Sequence, residues 1–224
     1  MNDKPFWTDD SDADYFNRIQ DERLQKAREE IDRMLAVNGR RTVENTLALY
    51  DEAMLHLDAA ASQSELMQEV HPDAEFRAAA EKISQKASAL ATELSLNRAV
   101  FDALSALDLD EADAETRYYV EKTLRDFRLA GVDKDEATRE RIKALRDEIV
   151  LIGQKFARNI REDKSQVVVN DVAELEGLPE DFIANHPPDA AADGKIVLTT
   201  DYPDYLPVIS YAKSEDLRRR MYLA

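Results

Sequence analysis

The sequence predicts a mainly α protein, a bundle-like lobe of long antiparallel helices with a small α/β segment after residue 163. Three observations carry that prediction. Five glycines in 224 residues leave few natural breaks, and no proline occurs from Asp73 to Leu178, so nothing there interrupts long helices. Across most of the chain, apolar residues recur at steps of three and four, the period of one helix face. After Asp163 the pattern shortens to β-branched runs bounded by turn residues. Residues 1–163 are therefore expected to form the long-helix region, and 164–224 a mixed strand and helix segment.

The first helix is expected to start near Ser11, whose hydroxyl with Asp14 three residues on resembles a capping box with Asp in place of Glu. Phe16, Ile19, Leu24, Ala27, Ile31, Met34 and Leu35 keep its stripe, and Asn38-Gly39 ends it. A second helix follows Thr42, with Leu47, Tyr50, Met54, Leu57 and Ala61 on one face. His71-Pro72 closes it, because a residue before proline avoids the helical region. In the third, Phe76, Ala80, Ile83, Ala87, Leu90, Leu94, Asn97, Phe101 and Leu104 alternate steps of four and three without a break. That is the spacing of a packed seam, with alanine allowing close approach at two positions. Asn97, its single polar member, reads as a buried amide that fixes register or bonds to a neighbouring helix, with a site residue as the alternative.

A fourth helix is expected from Ala114 to Ala130, with Val120, Leu124 and Phe127 inward and Gly131 as its stop. A fifth, from Glu136 to Glu162, carries Ile142, Leu145, Ile149, Ile152, Phe156 and Ile160. Gly153 within it costs about 1 kcal/mol against alanine, which suggests a close helix contact there. Beyond it, QVVVNDV (166–172) and KIVLTTDY (195–202) read as short strands, LPEDFIA as a short helix with Pro179 at its first position, and His186 to Gly194 as a surface loop. A last helix opens at Ser214 with Leu217, Met221 and Leu223 on its face. About ten residues of helix are marginal alone, so the expectation is that the chain is a fragment and that the natural protein continues past Ala224.

Composition narrows the function. Charged residues make up 34% and hydrophobic residues 44%, which fits a soluble, folded chain. No apolar run approaches the roughly 20 residues that cross a bilayer, so no membrane partner is expected. The opening MNDKPFWTDDSDAD lacks the basic and apolar regions of a signal peptide. The absence of cysteine rules out disulfides, thiolate ligands and a cysteine nucleophile, and leans the compartment to the cytoplasm. A formal net charge of −17 repels phosphate backbones, so no nucleic-acid partner is expected. The two basic sets, Arg218, Arg219 and Arg220, and Arg117, Arg125 and Arg128, are interleaved with acids and read as solvated helix faces.

The catalytic motifs are missing. His56, His71 and His186 are the three histidines, with no i, i+4 pair and no HExxH, and each reads as structural or exposed. There is no GxSxG, phosphate-cradling loop or dinucleotide fingerprint. The acid pairs Asp9-Asp10, Glu29-Glu30 and Asp133/Asp135 read as solvated surface. In YPDYLPVISYA (202–212) the tyrosines could line a peptide groove; the simpler reading is a rigid turn after an edge strand, with prolines blocking further pairing.

Several segments together carry a resemblance. HPDAEFRAAAEKISQKASALATELSLNRAVFDAL, TRYYVEKTLRDFRLAGV, ERIKALRDEIVLIGQKFARNIRED, GLPEDF and KIVLTTDYPDYLPVISYAKSEDLRRRMYLA, in this order, closely resemble the N-terminal portion of the thimet oligopeptidase family, which includes neurolysin and oligopeptidase A. The likeness covers nearly the whole chain and is strongest from His71 to Ala224. It implies a zinc metallopeptidase that cuts short peptides in a channel between two helical lobes, this chain supplying most of the first lobe and one channel wall. The family's HExxH helix, its further glutamate, its substrate-gripping tyrosines and its glycine-rich loop belong to the second lobe. The resemblance therefore assigns no catalytic, metal or substrate-binding residue here, and Tyr202, Tyr205 and Tyr211 inherit no role. Zinc is expected in the full-length protein only, with the catalytic lobe and short peptides as partners. A free-standing helical interaction module is the alternative.

Overall fold

The structure, a computed structural model, describes residues 12–163 and 165–224. Helices dominate it, with one two-stranded sheet. The chain divides into two compact units, Met1–Phe156 and Ala157–Ala224.

In the first unit, α1 (Ala13–Leu35) is capped by Asp12, whose side chain accepts the Tyr15 N–H at 2.7 Å. Ser11, the expected start, lies outside the described residues. Phe16, Leu24, Ala27, Ile31 and Met34 are buried as their spacing predicts, and so is Gln20, which donates to Gln63 at 2.8 Å. Thr42 and Asn45 form a reciprocal cap over one wide turn, Val43–Leu47, that runs into α2 (Ala48–Val70). His71 ends α2 in extended conformation before Pro72, and α3 (Ala74–Ser95) follows at once. The start of α1 (Phe16), the end of α2 (Met67) and the start of α3 (Phe76) meet in one apolar cluster, with the Phe16 and Phe76 rings 4.9 Å apart. Each consecutive pair of these helices is therefore antiparallel. Ala80 and Ala87 are buried in α3, where small side chains permit close approach.

The expected unbroken third helix is two helices. The chain turns at Leu96, and Asn97 caps α4 (Arg98–Ser105), accepting the Ala99 and Val100 N–H groups at 2.9 and 3.2 Å. Asn97 is thus a helix cap rather than a register-fixing amide: its side chain replaces the backbone partner that the first turn lacks. Phe101 and Leu104 stay buried beyond the turn, so the apolar period outlasts the backbone that suggested it.

α5 (Ala114–Ala130) ends at Gly131, whose φ of +102° is left-handed. α6 (Glu136–Glu162) has the expected bounds, and none of its residues is buried. Ile149, Ile152, Phe156 and Ile160 are 59–66% exposed and Leu145 is 41% exposed. Nor does Gly153 mark a close contact, because a Cβ there would meet nothing within 4 Å.

The second unit is built on β1 (Gln166–Val169) and β2 (Ile196–Thr199), antiparallel, with Val167 opposite Leu198 and Val169 opposite Ile196. Those four side chains are the buried face, as the two-residue strand period requires. Both strands are shorter than expected. A 3-10 turn at Val172–Leu175 replaces the end of one, and β2 stops where the chain turns into α8. Pro179 caps α7 (Glu180–Asn185) from just outside. The loop after His186 contains another short turn, Ala190–Ala192. The predicted rigid turn at YPDYLPVISYA is instead α8 (Tyr202–Tyr211): Pro203 sits in the first turn, where its missing N–H costs nothing, and Pro207 lies inside. Ser214 caps α9 (Glu215–Leu223), which buries Leu217 and Met221. Gly177, at φ +97°, passes so close to the Tyr211 carbonyl that a Cβ would fall 2.3 Å from it.

Candidate functional site

The side chains singled out in the sequence do not converge. His56 is 3.4 Å from Glu52, one turn earlier on α2. His71 stacks on Phe76 at 3.8 Å and accepts the Asp73 N–H through Nδ1. His186 faces two oxygens, Phe182 O at 2.7 Å from Nδ1 and Asp204 Oδ1 at 2.9 Å from Nε2. The other Asp204 oxygen accepts the Thr199 N–H at 2.7 Å and its hydroxyl at 2.8 Å. This buried His–Asp–Thr cluster binds α7, α8 and β2 together. It is not a nucleophile triad, because the hydroxyl bonds to the carboxylate rather than to the imidazole.

Among the described residues no three His, Asp or Glu side chains are grouped to hold a metal ion. The zinc that the resemblance implies has no ligand set in these residues. The acid pairs are engaged locally: Glu30 with Arg33, Asp133 with Lys134, and Asp135 with Thr138. Asp9-Asp10 lies outside the described residues. Most of the arginines are held as well. Arg117 bonds carbonyls at Leu109 and Asp110, Arg128 lies over the Phe101 ring, and Arg220 pairs with Asp216 and Glu174. Of the three tyrosines, Tyr202 and Tyr211 are exposed and Tyr205 packs against the core of the second unit.

One concave feature of the first unit mixes apolar and acidic side chains. α2, α3 and α5 enclose a cleft of about 260 Å³. Leu57, Leu94 and Phe127 line it with buried apolar side chains, and Asp58 and Asp126 line it with exposed carboxylates. Tyr50 lines it with its ring 6.2 Å from that of Phe127. Burial pushes the Tyr50 phenol well above its usual pKa, with Tyr119 and the carboxylates of Asp58, Asp126 and Asp51 adding to the effect. Tyr50 is therefore a neutral phenol at any ordinary pH. Sequence reading placed Tyr50 on an apolar face and missed the cleft, because its acids arrive from two helices far apart in the chain.

Fold and clusters together define a helical, two-unit chain with an acid-lined cleft and, among the described residues, no cluster able to hold a metal ion. No family model matches it. Curated relatives do. Saccharolysin of Saccharomyces cerevisiae is 29% identical over 73% of this chain and 24% of its own length. Oligopeptidase A of Escherichia coli is 27% identical over 90% of this chain and 31% of its own length. The thimet-like oligopeptidase of Dictyostelium discoideum is 29% identical over 52% of this chain and 18% of its own length. The chain is similar to oligopeptidases of the thimet and oligopeptidase A type, and it spans less than a third of the length of these proteins.

Proposed function

We propose that this chain is the N-terminal lobe of a zinc-dependent oligopeptidase, forming one wall of the channel that admits short peptides while the catalytic zinc site lies elsewhere in the whole protein. The observation that carries the reading is the likeness over 90% of this chain to a peptidase of which it covers 31%. Long helices beside an active site narrow its entrance, so a flexible peptide passes and a folded protein does not. In this role the lobe selects substrate by size and leaves bond cleavage to the rest of the protein. Its partners are then the catalytic lobe of the same chain and short peptides, in the cytoplasm.

Purified 224-residue chain is expected neither to hydrolyse peptides nor to retain stoichiometric zinc, and chelator-sensitive cleavage by that material would sink the proposal. An antibody against the chain should detect, in extracts of its own source, a species several-fold heavier than 25.5 kDa. The exposed apolar face of α6 favours one rival, a free-standing helical interaction module. A native band at 25.5 kDa would put that rival ahead.

A further inference from the structure

We propose that the cleft between α2, α3 and α5 is a binding site for a basic side chain, arginine or lysine, carried within a peptide. The site stands on the first unit alone and does not depend on the oligopeptidase reading. Its lining is split by chemistry. Leu57, Leu94 and Phe127 offer an apolar bed, which suits the methylene stem of a long basic residue. Asp58 and Asp126 line the same cleft and are exposed, so their carboxylates are open to a charged end. Arg125 reaches Asp126 only through Oδ1, at 3.1 Å on an exposed surface, and Asp58 has no cationic partner among the described residues.

Tyr50 supplies the independent sign. It is 8% exposed, it lines the cleft, and its hydroxyl has no hydrogen-bond partner among the described residues. A phenol that lines an open cleft and makes no bond to the protein among the described residues is free to accept from a bound donor. Nearby, Asp51 is held by the Tyr119 hydroxyl at 3.3 Å, so three carboxylates surround this face. Those charges also choose the source of the cation. A free amino acid would bring its own carboxylate into a field of the same sign, whereas a residue within a peptide brings a neutral amide instead.

The test is a titration of the full 224-residue chain with acetyl-Ala-Arg-Ala-amide at low salt, followed by the ring resonances of Tyr50 and Phe127. Saturable shifts are expected, together with about tenfold weaker binding in Tyr50→Phe and in Asp58→Asn, each of which removes one charge-assisted partner. The norleucine peptide, which keeps the stem without the charge, should not saturate, and free arginine should bind more weakly than the peptide. Binding that both variants leave unchanged would mean diffuse attraction to a chain of charge −17 and would overturn the site. Equal binding of the norleucine peptide, equal binding of free arginine, or no shift at millimolar peptide would overturn it too. Tyr50→Phe keeps the ring and Asp58 is exposed, so both variants should fold, which their unchanged far-UV spectra would check.

Discussion

Asp204 gathers three polar partners at one buried point. The Thr199 N–H and hydroxyl reach one oxygen and the His186 ring faces the other, while the carboxylate is only 8% exposed. Removing it strands donors from two elements, and a buried donor left without a partner costs about 1–3 kcal/mol. Asp204→Ala is therefore expected to destabilise the second unit by about 3 kcal/mol, read from urea unfolding and from faster exchange of the Thr199 amide. Thr199→Val removes one hydroxyl and leaves the other bonds, so it should cost about 1 kcal/mol. Equal losses in the two variants would show that the carboxylate does not organise the cluster. Sequence reading found His186 and gave it a structural role. It could not supply Asp204, which was read as part of a turn and is buried only because that turn is a helix.

At the scale of elements, aspartates open the long helices. Asp73 accepts the Glu75 and Phe76 N–H groups at 2.7 and 3.1 Å, Asp113 accepts that of Thr116 at 2.7 Å, and Asp135 bonds both the N–H and the hydroxyl of Thr138 at 2.9 Å. Backbone N–H bonds, chiefly from Phe76, hold Asp73 below the usual carboxylate range. The Thr116 side chain and N–H do so for Asp113, and the Thr138 N–H and hydroxyl for Asp135. A carboxyl whose pKa is lower folded than unfolded adds stability above its unfolded value, and that stability fades as the pH falls through the folded one. Helix ends should therefore loosen on acidification below about pH 4, with carboxyl carbons of Asp73, Asp113 and Asp135 titrating below those of exposed aspartates by NMR. Ordinary midpoints for all three would remove this explanation.

These chemical markers also decide what the sequence could reveal. α5 and α6 were legible at full length, because Gly131 and the run of helix formers mark their ends. The break at Asn97 was not, since Phe101 and Leu104 continue the apolar steps across it. α8 was hidden because two prolines read as a turn, although the first turn of a helix accepts one without loss. The cleft at Tyr50 needs three helices in place and has no local signature.

For the molecule as a whole, two forces oppose each other. The net charge of −17 keeps copies apart, while α6 offers Leu145, Ile149, Ile152 and Phe156 at steps of four, three and four, all exposed. Residues at that spacing share one face, and a contiguous apolar face of this kind favours association. The period of α6 marks an apolar stripe; the helix forms with that pattern and no residue of it is buried. Sequence periodicity specifies which face is apolar, and only a neighbouring surface can cover it. The balance depends on salt, because the Debye length falls from about 10 Å at 0.1 M to about 3 Å at 1 M, which weakens the repulsion and leaves the apolar attraction. The chain is expected to be monomeric at low salt and micromolar concentration, and to self-associate as salt and concentration rise. Phe156→Glu should restore the monomer at little cost in stability, since that side chain is 66% exposed. Sedimentation velocity across a salt series would measure it. A monodisperse monomer throughout would mean that this face is not adhesive, and association unchanged in Phe156→Glu would place the contact elsewhere on the chain.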